Sequence, residues 1–130
     1  MTEKKKVLLV DDDPDFVEAV KVIVESGGYA VRVAYDGKEG LEAVAEEKPD
    51  LIVLDVMMPV MNGHEACVAL KGNPETEKIP IILLTAVADR VTTSTYTHRD
   101  MLESEAEDYM PKPVEPKELL ELIKSWLTEE

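Results

Sequence analysis

Short apolar runs alternate with longer amphipathic stretches along the chain. Most of the runs are aliphatic and rich in β-branched residues, which is typical of strands in a parallel sheet that is covered on both faces. The predicted strands are Val7–Val10, Ala30–Ala34, Leu51–Leu54 and Ile79–Leu84, followed by a short strand at Asp108–Met110.

The stretches between these runs carry apolar residues at helical spacing. In the first stretch, Asp13 is predicted as the N-cap, Pro14 as the first helical residue and Gly27-Gly28 as the stop. Further helices are predicted over Lys38–Lys48, from Gly63 to Gly72-Asn73-Pro74, and from Pro116. A fourth helix, before the one at Pro116, is predicted between Val87 and Glu107 from a roughly helical apolar spacing.

The strict alternation of strand and helix defines the fold class. Successive parallel strands need crossover connections, and helices supply them on both faces of the sheet. The sequence therefore predicts an α/β protein with a five-stranded parallel sheet. Neither an internal repeat nor a linker-like segment interrupts the pattern, so residues 1–130 are expected to form a single domain.

Composition narrows the possible partners and location. The formal net charge is −14, from 14 Lys and Arg against 28 Asp and Glu. Such an acidic surface repels phosphate backbones and anionic lipids, so no direct binding to nucleic acid or membrane is expected. Cys67 is the single cysteine, and the apolar run Val7–Val10 is too short for a signal sequence or a membrane span. These features predict a cytoplasmic protein.

Polar residues follow most of the predicted strands, at the sheet edge where parallel α/β proteins bind their ligands. They are Asp11, Asp12 and Asp13 after the first strand, Asp55 after the third, Thr85 after the fourth, and Lys112-Pro113 after the fifth. Carboxylates brought together there would repel by about 3 kcal/mol per pair at roughly 5 Å in an effective dielectric near 20. A hard divalent cation bound by few carboxylates is expected, and Mg²⁺ fits that description.

Each of these residues also has a purely structural explanation. Asp13 is most simply a helix N-cap, and Thr85 could cap the predicted fourth helix. Lys112 alone is most simply a solvated turn residue. Asp55 is harder to explain in this way, because it ends an apolar strand and has no partner nearby in the sequence. The coincidence across several strand ends favours a functional site.

The same residues carry a resemblance to a known family. Leu8-Leu9-Val10-Asp11-Asp12 resembles the strand and acidic pair of the receiver domains of two-component response regulators. The segment Asp55-Val56-Met57-Met58-Pro59-Val60-Met61-Asn62-Gly63 is similar to their phosphoacceptor motif. Leu84-Thr85-Ala86 and Lys112-Pro113 complete the resemblance, which covers nearly the whole chain.

The resemblance implies a flavodoxin-like strand order, 2-1-3-4-5, and a phosphorelay function. Asp55 would accept a phosphoryl group from a sensor histidine kinase or a phosphotransfer protein. Mg²⁺ would be bound by Asp11, Asp12, Asp55 and the backbone carbonyl of Met57. Thr85 and Lys112 would receive the phosphoryl oxygens.

The resemblance also implies a switch. Thr85 would move toward the phosphoryl group and the Tyr109 ring would turn inward, which would alter the face formed by the fourth helix, fifth strand and fifth helix. A downstream protein would read that face, and a phosphorylation-dependent dimer is a further possibility. The segment Val91–Asp100, near this face, is longer than is usual in the family.

Two other function classes compete with the switch. An unphosphorylated docking module of the pseudo-receiver type would keep only the fold, but the complete set of Asp, Thr and Lys residues argues against it. A phosphohydrolase with an aspartyl phosphate would need a general acid two residues after the nucleophile, and that residue is Met57. The expected protein is therefore not an enzyme, apart from catalysing its own phosphorylation and dephosphorylation.

Overall fold

The computed structural model describes residues 4–55, 63–86, 106–112 and 114–127. In chain order the elements are β1 Lys6–Val10, α1 Pro14–Ser26, β2 Ala30–Ala34, α2 Gly37–Glu46, β3 Leu51–Asp55, α3 Gly63–Lys71, β4 Ile81–Ala86, β5 Asp108–Lys112 and the C-terminal helix Pro116–Leu127. The five strands form one parallel sheet in the order β2-β1-β3-β4-β5. The predicted fold class and strand order are confirmed.

Alternate side chains of the central strands enter two separate hydrophobic cores. In β1, Val7 and Leu9 face α1 and the C-terminal helix, whereas Leu8 and Val10 face α2 and α3. All five residues of β3 are buried. This two-sided burial explains why the central strands are continuous apolar runs rather than alternating ones.

Local sequence signals set the ends of α1. The Asp13 carboxylate accepts hydrogen bonds from the backbone N–H groups of Asp15 and Phe16, at 3.1 and 3.3 Å. At the other end the chain leaves the helix through Gly28, whose φ of +95° is costly for residues with a side chain. The predicted cap and stop are both confirmed.

Some predicted boundaries are displaced by one or two residues. The fourth strand runs over Ile81–Ala86, because Ile79 donates its N–H to Thr76 within the preceding turn. The second helix begins at Gly37, with the Asp36 carboxylate as its N-cap, and ends at Glu46. Pro49 disfavours a helical conformation at the residue before it, which explains the earlier end.

The third and fifth strands extend beyond their predicted ends. Asp55 is the last residue of β3, and β5 continues through Pro111 to Lys112. Proline is tolerated there because β5 is an edge strand. The predicted fourth helix and the segment Val91–Asp100 lie outside the described residues.

Candidate functional site

Asp11 lies where β1 gives way to α1. Its backbone N–H donates to the carbonyl of Ala34 in β2, at 3.1 Å. Its side chain is fully buried, and Oδ1 accepts a hydrogen bond from the Asp13 N–H at 3.0 Å. Because Asp13 also caps α1, one turn of chain fixes both the start of the helix and the orientation of the Asp11 carboxylate.

Asp55 brings a second buried carboxylate to the same edge. It ends β3, which lies beside β1 in the sheet, and its side chain is only 6% exposed. Asp12 adds an exposed carboxylate, so that oxygens of Asp11, Asp12 and Asp55 all lie within 4.8 Å of one another. The predicted convergence of these three residues is therefore present in the structure.

Lys112 places an ammonium group among these carboxylates. Its Nζ lies 3.0 Å from Asp11 Oδ2 and 3.4 Å from Asp55 Oδ1. The Lys112 side chain is 25% exposed and its Nζ also lies 4.3 Å from the centre of the Phe16 ring. The interpretation of Lys112 as a solvated turn residue is wrong, because β5 carries it into the carboxylate cluster.

The electrostatics of the cluster are set by competition between burial and charge. Burial is the strongest influence on Asp11 and raises the pKa of its carboxyl group, against the lowering effects of the Asp13 N–H and Lys112. Burial is also the largest single influence on Lys112, and it lowers the pKa by favouring the neutral amine. The combined effect of Asp11 and Asp55 is larger, so the pKa of Lys112 is raised. The ammonium is thus held in its charged form, whereas the Asp11 carboxylate is not fully compensated.

The donor set fits a hard cation. Asp11 Oδ2 is buried, and among the described residues its partner is the Lys112 ammonium, 3.0 Å away. This one ammonium is shared with Asp55, so the negative charge of the cluster is only partly neutralised, which is costly for buried carboxylates. The cluster offers three carboxylates as oxygen ligands, and it is open to solvent on the side of the exposed Asp12. This arrangement suits Mg²⁺, which prefers oxygen ligands and retains several bound waters.

The remaining predicted site residues are described only in part. Thr85 lies within β4, in register with Pro111 of β5, and its side chain lies outside the described part of the structure. Since β4 continues past Thr85, the explanation of this residue as a helix N-cap is wrong. Tyr109 is half-buried in β5 and packs against the core beneath α2 and α3. Met57 lies outside the described residues.

Phe16 was not predicted from the sequence as part of the site. Its ring faces the Lys112 ammonium from the first turns of α1. The available signal was the position of the chain's only phenylalanine, five residues after Asp11. That signal was insufficient, because the contact depends on how the Lys112 side chain extends from the end of β5 toward α1.

Comparisons with known proteins agree with this geometry. The family model for the response regulator receiver domain matches residues 7–124. The DNA-binding response regulator MtrA of Mycolicibacterium smegmatis is 38% identical over 126 residues, which are 97% of this chain and 52% of MtrA.

Two solved structures extend the comparison. A putative response regulator from Chloroflexus aurantiacus superimposes with a TM-score of 0.87 at 32% identity, over 98% of this chain and all of the other. The receiver domain of the sensor histidine kinase PA1611 from Pseudomonas aeruginosa has a TM-score of 0.84 at 27% identity, over 95% of this chain and 98% of the other. That structure contains a magnesium ion coordinated in its active-site cleft.

One prediction about partners is wrong. The acidic charge led to the expectation of no direct nucleic-acid binding, yet curated relatives are named DNA-binding response regulators. This chain spans about half the length of those relatives. The charge of one receiver domain says nothing about the rest of a longer protein, so it does not exclude nucleic acid as a partner.

Within the described residues, the longest helices are too short and too polar to cross a membrane. The cytoplasmic location stays a prediction.

Proposed function

Because the chain belongs to the receiver domains of two-component response regulators, we propose that it is a phospho-accepting switch in which Asp55 takes a phosphoryl group from a histidine kinase or phosphotransfer protein. Receiver domains are signalling switches rather than enzymes that turn over a metabolite. The observation that carries the proposal is the meeting of three carboxylates and one ammonium at the carboxyl edge of the sheet. We treat residues 1–130 as a single receiver domain, which the one continuous sheet supports.

Asp55 is the proposed nucleophile. One of its carboxylate oxygens forms a bond to phosphorus while the bond from phosphorus to the donor nitrogen breaks, and the departing electron pair stays on that nitrogen. The product is an acyl phosphate on Asp55. Its place at the end of a fully buried strand supports this role, since the backbone beneath the nucleophile is held firmly.

Asp11, Asp12 and Asp55 would hold Mg²⁺ together with the backbone carbonyl of Met57. When bound, the ion neutralises negative charge between the carboxylates and the incoming phosphoryl oxygens. The excess of three carboxylates over one ammonium supports this assignment. Asp11 is oriented for ligation by the hydrogen bond from the Asp13 N–H, which leaves Oδ2 facing the cluster.

Lys112 would bind the transferred group. Its ammonium lies 3.4 Å from Asp55 Oδ1 and is held in the charged form, so it can form an ion pair with a phosphoryl oxygen. The Thr85 hydroxyl would donate a hydrogen bond to another phosphoryl oxygen. The pairing of Thr85 with Pro111, next to Lys112, supports a common location for the two residues.

The proposed conformational change would start at Thr85 and then involve Tyr109. Tyr109 is paired in register with Leu83, two residues before Thr85, so a shift of Thr85 would displace the neighbouring strand that carries Tyr109. An inward turn of the Tyr109 ring would then change the face made by the predicted fourth helix, β5 and the C-terminal helix. Phosphorylation would act by shifting the population of two conformations that a protein partner distinguishes.

Mass spectrometry tests the proposal directly. The protein is incubated with acetyl phosphate with and without Mg²⁺, and intact mass and peptide mapping follow the product. One phosphoryl group on Asp55 is expected with Mg²⁺, and none when Mg²⁺ is omitted or is chelated before acetyl phosphate is added. Asp55→Asn should take none, whereas Asp50→Asn, at the opposite end of β3, should react like the wild type. A wild-type protein without an adduct would contradict the proposal and favour a docking module.

A further inference from the structure

Among the described residues, the Phe16 ring is an uncharged neighbour of the Lys112 ammonium. Nζ lies 4.3 Å from the ring centre, within the distance at which a ring attracts a cation. The ammonium also forms ion pairs with the carboxylates of Asp11 and Asp55. The ammonium is therefore held between two anions and one aromatic face.

We propose that Phe16 is a positioning residue for phosphoryl transfer, because its ring holds the Lys112 ammonium beside Asp11 and Asp55. This inference rests on the proposed function of Asp55. A lysine side chain has several rotatable bonds, and β5 fixes only the backbone of Lys112 at its last residue. Contacts at the ammonium itself must therefore decide where the charge lies.

The ring differs from the carboxylates in what it can bind. A divalent cation would compete with the ammonium for the oxygens of Asp11 and Asp55. Binding of the metal would therefore weaken the attraction of these oxygens for Lys112. An aromatic face is no ligand for a hard metal ion. The contact between Phe16 and Lys112 therefore does not compete with binding of the metal.

Phe16 is itself well fixed. Its N–H donates to the Asp13 carboxylate at 3.3 Å, in the N-cap of α1. Its side chain packs on the core formed by α1, the C-terminal helix and the sheet. The same Asp13 gives its own N–H to Asp11, so the cap orients both the carboxylate and the ring that contact Lys112.

The matched variants separate this role from simple packing. Phe16→Leu keeps an apolar side chain and removes the aromatic face, whereas Phe16→Tyr keeps the face. Tyr29→Leu is the control, since Tyr29 is a half-buried aromatic residue on the same core at the far end of α1. Lys112→Met provides the background in which the ring has no cation to hold.

The first measurement needs no phosphorylation. In proton NMR of the protein with and without Mg²⁺, ring currents should move the Lys112 side-chain methylene signals next to Nζ upfield. The shift should persist in Phe16→Tyr and Tyr29→Leu and disappear in Phe16→Leu. Signals at ordinary lysine positions in the wild type, unchanged in Phe16→Leu, would overturn the inference even if Asp55 is phosphorylated normally.

The second measurement is the rate of Asp55 phosphorylation by acetyl phosphate. Phe16→Leu should slow it about threefold to tenfold, as expected for a cation–π contact of moderate strength. Phe16→Tyr should restore the rate, and in the Lys112→Met background Phe16→Leu should have no further effect. An equal loss in Phe16→Tyr, or an undiminished loss without the lysine, would overturn the positioning role. Absence of phosphorylation in the wild type would instead contradict the proposed function, while the NMR result still decides the contact.

Discussion

Lys71 and Glu107 form an ion pair, with 2.7 Å between Nζ and Oε2, that ties the end of α3 to the residue preceding β5. The Lys71 ammonium also donates to the backbone carbonyls of Glu77 and Ile79. The other Glu107 oxygen accepts the N–H of Ile81 at 2.8 Å. One lysine and one glutamate therefore close the turn before β4 and anchor the starts of β4 and β5.

Removal of Lys71 should be strongly destabilising. Its side chain is only 6% exposed, so Lys71→Met would leave a carboxylate and two carbonyls without their cation. We expect a loss of about 2–4 kcal/mol in the free energy of unfolding, measured by urea denaturation. Glu46→Gln serves as the control, since its ion pair with Arg32 is exposed and should be worth less than ~1 kcal/mol. Equal effects of the two substitutions would contradict the prediction.

The N-cap of α1 should contribute measurably to stability. Asp13→Ala removes the acceptor for the N–H groups of Asp15 and Phe16 and should cost about 1 kcal/mol. Asp13→Ser keeps an acceptor and should recover most of that loss. Thermal denaturation followed by circular dichroism compares the variants. A Ser variant as unstable as the Ala variant would show that the cap is not the cause.

Neutralising Asp11 should stabilise the metal-free protein. Burial raises the pKa of Asp11, so folding favours its neutral form, and the ionised carboxylate costs stability at neutral pH. Asp11→Asn should therefore unfold at a higher urea concentration than the wild type at pH 7. This advantage should shrink as the pH falls and vanish below the ordinary value of 3.8, where Asp11 is protonated in both states.

Mg²⁺ should reverse the order of stability of the wild type and Asp11→Asn. Added Mg²⁺ should raise the melting temperature of the wild type, because a ligand that binds only the folded state stabilises it. It should leave the melting temperature of Asp11→Asn nearly unchanged. Glu42→Gln, which neutralises an exposed carboxylate on α2, should respond to Mg²⁺ like the wild type. An undiminished response in Asp11→Asn would argue against Asp11 as a metal ligand.

The single tryptophan should report the proposed switch. Trp126 donates its indole N–H to Asp108 Oδ2 at 3.2 Å, and Asp108 immediately precedes Tyr109. Treatment with acetyl phosphate and Mg²⁺ should change the intensity of tryptophan fluorescence, because a movement of β5 alters the contact with Asp108. Asp55→Asn should show no change. Full phosphorylation without a fluorescence change would place the rearrangement away from β5.

The fold could be predicted because its signals are local. The aliphatic runs and the cap and stop of α1 follow from neighbouring residues, and the alternation of element types predicts a parallel sheet, whereas the strand order followed from the family resemblance. The start of β4 could not be predicted in the same way. The turn that delays its start depends on Thr76 and on Glu107, and Glu107 lies far away in the sequence.

The sequence predicts the part of the site that is formed by residues at the ends of the strands. Asp11, Asp12 and Asp55 were expected together because parallel strands end at one edge. Lys112 was also expected at this edge, but the fifth strand was predicted to end at Met110 and in fact continues through Pro111 to Lys112. An edge strand tolerates that proline, and it carries the lysine into the cluster. Phe16 was missed because its contact depends on the path of the Lys112 side chain, which lies 96 residues further along the chain.

The sheet also differs in rigidity from its middle to its margin. Every residue of β3 is buried between two neighbouring strands, whereas β5 has one strand beside it and is largely half-buried. Amide hydrogens in β3 should therefore exchange only on global unfolding, and those of β5 through smaller openings. A chemical change at Asp55 would therefore displace the rigid strand β3 little. The resulting movement would occur mainly in the edge strand β5, which is easier to deform.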